Sequence, residues 1–254
     1  NDTATNDIYT SDVSSAASDV YKRQALGTLI RASETTKSRE LKPILRKAVA
    51  GIAQRNREAL INFLDSRDPV VVTGALHLAG QMGVREVAPR LTGLLSHGSP
   101  QVRTAAAETI LQLKATTLAS HLLDTLLDPE VAVRVAAARV LQAMRSRGAA
   151  GRLKDILQSK EIRTADLSEQ IAMFEAYGSV EDPQAVPFLD KYLNGKGFLG
   201  RREPAEIRAC AALALGKVGS GEARSSLREA ATDDDPVVRN AVGRAMRAMQ
   251  DGPR

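Results

Sequence analysis

In 254 residues the chain has no Trp, four Phe, four Tyr, three His and one Cys. Sheet-rich folds favour aromatic and β-branched residues, so this composition argues against them. One Cys excludes an intrachain disulfide, and no grouping of Cys and His has the spacing of a structural zinc site. No apolar run approaches the roughly 20 residues that a membrane-spanning helix needs. The first residues are acidic and hydroxylated, unlike the basic-then-apolar start of a secretory signal. The expectation is a cytoplasmic protein with no membrane association, no metal and no cofactor. The formal charge of +5 is a mild bias toward polyanions, too small for this length to name nucleic acid as the partner. What the chain has in surplus is Ala, 39 of them, within a hydrophobic share of 43%.

The surplus is periodic. Asp68-Pro69-Val70-Val71, Ser99-Pro100-Gln101-Val102-Arg103, Asp128-Pro129-Glu130-Val131, Pro204-Ala205-Glu206-Ile207-Arg208 and Asp235-Pro236-Val237-Val238-Arg239 each open an apolar stretch. Arg103 to Arg134 and Arg208 to Arg239 are both 31 positions apart. The longer gap between Arg134 and Arg208 holds one degenerate unit if Gly178 corresponds to Gly216. Such self-similarity marks a stack of equivalent supersecondary units.

Asp and Ser accept hydrogen bonds from the free amides of a first helical turn, and Pro fits the first helical position, so a helix is expected from each Pro. Val102, Ala105, Ala106, Thr109, Ile110 and Leu113 then recur with the 3.6-residue period of one helix face. Gly83, Gly148, Gly178, Gly219 and Gly221 are expected at or near helix ends. Shorter amphipathic segments precede each opening, at 57–66, 86–96, 117–127, 149–159, 183–193 and 221–231. The unit is helix, turn, helix.

With Glu206-Ile207-Arg208-Ala209-Cys210-Ala211-Ala212-Leu213-Ala214-Leu215-Gly216-Lys217-Val218-Gly219 followed by Asp235-Pro236-Val237-Val238-Arg239, the chain resembles the bacterial HEAT repeat, the variety also found in phycobilisome-lyase-like proteins. The resemblance implies an all-α, right-handed α-solenoid of about six helix pairs with an N-terminal capping helix. It also places the second helix of each pair on a concave side. The domain reading is a flexible or foreign tail at 1–24, capping helices or a partial repeat at 25–56, the repeat array at 57–249 and a tail at 250–254.

HEAT arrays are scaffolds in unrelated systems, so the resemblance fixes no function by itself. Enzymes on this fold can be tested against the residues. The glycosylases that repair alkylated DNA rely on Trp, which is missing here; deoxyhypusine hydroxylases bind iron through repeated His-Glu pairs, also missing. No chromophore-handling residue supports a bilin lyase. The reading is therefore a non-catalytic protein–protein interaction scaffold that binds a partner on its concave face and on the loop 194–204. Nucleic-acid binding through a basic concave face is the alternative, and a bilin-lyase type of enzyme a remote one.

Gly195-Lys196-Gly197-Phe198-Leu199-Gly200 has the letters of a dinucleotide loop, but the strand that motif needs does not precede it. It reads as an enlarged turn whose Phe198 and Leu199, flanked by Lys196, Arg201 and Arg202, could dock a partner. Arg103, Arg134, Arg208 and Arg239 read as an internal ladder with Asp68, Asp128 and Asp235, ahead of a ligand-gripping column. His77 is expected on the concave face, Phe174 and Tyr177 are candidate anchors for a partner, and Cys210 is a packed thiol.

Overall fold

A computed structural model describes residues 24–180, 182–196 and 201–251, and all regular structure among them is helical. It divides into two compact units between Leu113 and Lys114.

The first unit starts with α1 (24–35) and α2 (Leu41–Arg55), then builds two helix pairs: α3 (Arg57–Phe63) with α4 (Pro69–Met82), and α5 (Ala88–Leu94) with α6 (Pro100–Gln112). Leu26 and Ile30 of α1 are buried, and Ile30 occupies the space a side chain at Gly74 of α4 would need. Only Val49 and Ala53 of α2 are buried, while Leu41 and Ile44 stand 53% and 62% exposed.

The second unit continues with α7 (Leu122–Thr125) and α8 (Val131–Ala143), α9 (Ala150–Gln158) and α10 (Leu167–Ser179), α11 (Ala185–Leu193) and α12 (Ala205–Val218), and α13 (Gly221–Glu229) and α14 (Pro236–Asp251). The second helices stack in sequence, α8 on α10, α10 on α12 and α12 on α14. Their small residues make this approach possible. A Cβ at Gly178 would collide with the Ala214 carbonyl oxygen, and one at Gly216 would lie 2.9 Å from the Ala245 Cβ. Gly178, the last but one residue of α10, lies near a helix end as expected, and it also faces the Ala214 backbone of α12.

Helices begin at Pro69, Pro100 and Pro236, but α8 begins at Val131 and Pro204 is itself the N-cap of α12. The cause is a register shared by several pairs. The N-cap positions are Asp68, Ser99, Glu130 and Asp235, and each N-cap amide donates to a side chain two residues earlier: Ser66, His97 Nδ1, Asp128 and Asp233. Asp128 therefore corresponds to His97 and Asp233, two residues ahead of the position held by Asp68 and Asp235. The latter two accept the amides of Val70 and Val237, which caps α4 and α14.

Gly83 and Gly219 end their helices in the left-handed conformation, at φ 67° and 71°. Lys114 and Arg145 hold the matching position after α6 and α8, at φ 53° and 48°.

Candidate interaction site

The recurrent arginines sit four residues after the N-cap and reach back across the turn. Arg103 Nη1 donates to the carbonyls of His97 and Gly98, Arg134 Nη1 to those of Asp128 and Pro129, and Arg239 Nη1 to those of Asp233 and Asp234. Each guanidinium satisfies carbonyls left open at the end of the preceding short helix. In the degenerate pair Gln170 takes over, donating from Nε2 to the carbonyls of Ile162 and Arg163.

Carboxylates then join successive pairs of the second unit. Arg134 makes a two-pronged pair with Glu169, through Nε at 2.5 Å and Nη2 at 2.7 Å. Arg163 does the same with Glu203, at 3.2 and 2.8 Å. Arg208 of α12, 7% exposed, pairs with the buried carboxylate of Asp233, which Arg202 also reaches. Burial alone raises the Asp233 pKa, but the Asp235 amide and the guanidiniums of Arg202 and Arg208 outweigh it and hold this carboxyl below its ordinary value. The carboxylate partners of Arg134 and Arg208 are thus Glu169 and Asp233. Asp68 pairs with Arg31 of α1.

The loop that joins α11 to α12 borders a cleft of about 560 Å³. Asn194 fixes its start, donating from Nδ2 to Asp190 Oδ1 at 2.8 Å and to the Ser226 carbonyl at 3.0 Å. The rim carries five cations, Arg163, Lys191, Lys196, Arg201 and Arg202, against the single carboxylate of Glu203. Arg163 and Arg202 are committed to Glu203 and Asp233, whereas Lys191, Lys196 and Arg201 have no ion pair among the described residues. Phe188 and Tyr192 form one wall, their rings 5.3 Å apart, and the Tyr192 hydroxyl donates to the Leu157 carbonyl. This site can hold an anionic group against an apolar wall.

Lys196, Arg201 and Arg202 come together at this cleft. Phe198 and Leu199 lie outside the described residues. Phe174 and Tyr177 must be corrected: both are fully buried and cannot anchor a partner. In the degenerate pair aromatics replace the small aliphatics of the other pairs. Phe174 packs edge-on to Tyr192 at 5.5 Å and Tyr177 to Phe188 at 5.0 Å, filling the space between α10 and α11. Tyr177 donates its hydroxyl to Asp182, and burial followed by that carboxylate pushes its pKa up. Lys191 and Arg163 escaped the sequence reading. Phe188, Lys191 and Tyr192 share a helix face by their spacing, which could have found the first, but the approach of Arg163 is tertiary.

His77 belongs to the first unit. It is half-buried between Glu34, 3.7 Å from Nδ1, and Glu108, 3.9 Å from Nε2. The neighbouring His77 is the main cause that holds the Glu34 carboxyl below its usual range. Among the described residues no group of His, Cys, Asp and Glu could hold a metal ion, and no helix is long and apolar enough to cross a membrane.

These features define an all-helical repeat protein with a charged cleft between two of its turns. The pattern of HEAT repeats matches residues 57–141, 89–172 and 197–254, and the chain belongs to the HEAT-repeat family. No curated protein matches it by sequence. Similar solved structures include human deoxyhypusine hydroxylase in complex with glycerol, at 16% identity over 92% of this chain and 99% of that one, with a TM-score of 0.40. An engineered protein is 20% identical over 77% of this chain and 98% of its own, TM-score 0.48. The complex of CpcE and CpcF of phycocyanin lyase from Nostoc sp. is 21% identical over 88% and 93%, TM-score 0.45.

Proposed function

We propose that the chain is a non-catalytic protein–protein interaction scaffold, and that the cleft beside the 194–204 loop receives an acidic segment of its partner. The observation that carries this reading is the set of three cations, Lys191, Lys196 and Arg201, gathered on one rim with no ion pair among the described residues. A carboxylate delivered there gains charge-assisted hydrogen bonds without breaking an existing pair. HEAT repeats as extended binding surfaces support the scaffold part, with the concave face of the second helices as the further contact.

The test is fluorescence anisotropy with labelled peptides of Asp, Glu and apolar residues, set against a neutral peptide and a single-stranded oligonucleotide. The expected result is preference for acidic peptide, with affinity about tenfold weaker in Lys191→Glu/Arg201→Glu. Equal binding by that variant removes the cleft from the reading. Preference for the oligonucleotide, with a steep loss of affinity as salt rises, replaces the protein partner with nucleic acid.

A further inference from the structure

A second concavity on the same unit has the opposite character. It lies between the turn that joins α7 to α8 and the turn that joins α9 to α10, with a volume of about 780 Å³. Its apolar surface includes Leu127, 56% exposed, and Val131, 37% exposed, with Leu167 beside it at 52%. These are three of the six large exposed aliphatics among the described residues, and the others are Leu41 and Ile44 on α2 and Val237 on α14. Aliphatics gathered around one groove mark a contact surface, whereas isolated ones need no explanation.

The charge of this groove is an exception on a basic protein. Five carboxylates and two guanidiniums line it, while the chain as a whole carries +5. Both guanidiniums are already engaged. Arg134 spends Nε and Nη2 on Glu169 and Nη1 on the turn carbonyls, and Arg152 lies 3.4 Å from Asp124. Asp155, Glu161 and Asp166 remain on the rim with no ion pair among the described residues, although the charge of Lys160 acts on Glu161. Its own backbone amide and then the Ser159 hydroxyl hold the Glu161 carboxyl below its ordinary value, and the amide and hydroxyl of Ser168 do the same for Asp166. The surroundings are turns and helix ends, which offer no strand edge for an extended peptide to extend.

We propose that this groove docks the apolar face of a basic amphipathic helix supplied by a partner protein. The aliphatics take residues recurring every three to four positions on the helix, and the carboxylate rim pairs with flanking Lys or Arg. Complementary charge is the argument for this occupant. A cationic helix is repelled by the chain's overall charge, so its capture depends on this local reversal of sign.

The probe is a labelled synthetic peptide of about 18 residues with Leu on one helical stripe and Lys beside it. Its controls are the same composition with the stripe scrambled, and the same stripe with Glu in place of Lys. Titration against the full chain is expected to show binding of the Lys stripe peptide alone. Leu127→Ser/Val131→Ser is expected to weaken it about tenfold, and Asp155→Lys/Glu161→Lys by a similar factor. Both pairs of positions are on the surface, so folding is checked by circular dichroism. Lys191→Glu/Arg201→Glu, at the basic cleft, is expected not to weaken this binding, which separates the two sites. Equal binding of the scrambled peptide, or unchanged binding by the groove variants, overturns the proposal. A dimer seen by sedimentation that Leu127→Ser abolishes overturns it too, and gives the groove to a second copy of the chain.

Discussion

Lys114 holds the position in its repeat that Gly83 and Gly219 hold in theirs, and all three have a left-handed backbone. This makes a paired experiment with opposite signs. An L residue in that conformation costs about 1–2 kcal/mol through the approach of its Cβ to the carbonyl oxygen. Glycine avoids that cost but surrenders about 0.4–1 kcal/mol through the wider freedom of its unfolded chain. Lys114 is exposed, so removing its side chain forfeits no packing. Lys114→Gly is therefore expected to stabilise the fold by about 0.5–1 kcal/mol. Gly83→Ala is expected to destabilise it by about 1 kcal/mol, since φ is 67° there and open space around the new Cβ leaves backbone strain as the only cost. Urea denaturation followed by circular dichroism reads both, and melting should move by about 1–4 °C in opposite directions. If Lys114→Gly is neutral or destabilising while Gly83→Ala is tolerated, the left-handed cap does not carry the strain assigned to it.

Gly178→Ala tests sterics without strain: α10 would gain about 1 kcal/mol of helix propensity but overpack on the Ala214 carbonyl, for a net loss of about 1–2 kcal/mol by urea denaturation. Asp233→Asn leaves Arg202 and Arg208 without their shared carboxylate and should cost about 3–5 kcal/mol. Because the Asp233 pKa is lowered on folding, its contribution is present above the ordinary value of 3.8 and fades as pH falls through the lower folded value. The acid-side slope of stability against pH, to which Glu34, Glu161 and Asp166 also contribute, should therefore become shallower below about pH 4 in Asp233→Asn. Burial, then Glu175 and Glu206, pushes the Cys210 thiol up to about 12, so a maleimide at pH 8 should label it only as fast as the unit unfolds. Labelling of native protein within minutes would contradict the packing around α12.

The 31-residue spacing, the pairing of short and long helices and the equivalence of Gly178 with Gly216 were readable because each imposes a residue type. Only glycine permits the contacts at Ala214 and Ala245. The register of Asp128 was not readable. Asp-Pro at 68, 128 and 235 looks alike in sequence, yet an Asp can hold the amide of its own helix start or that of the N-cap ahead of it, and the choice follows from turn length. The arginine spacing was equally plain, but its acceptors are backbone carbonyls, which leave no trace in residue identity. Gln170 shows the consequence, since it performs the same task without the expected letter. The cleft was half legible. Lys196, Arg201 and Arg202 cluster along the chain, whereas Arg163 and Lys191 reach the rim from other elements, and the aromatics that looked available are consumed by the core.

The two kinds of arginine contact separate two quantities that govern a repeat protein. Bonds from Arg103, Arg134, Gln170 and Arg239 to nearby carbonyls close a turn within its own helix pair, so they set how stable each pair is by itself. The pairs Arg134–Glu169, Arg163–Glu203 and Arg208–Asp233 run from one helix pair to the next, and so set how strongly neighbours are coupled. In a quasi-one-dimensional stack those terms act independently. Cutting the second kind would let helix pairs of the second unit open one at a time, turning a single cooperative transition into a sequence of partial ones while each turn stays closed.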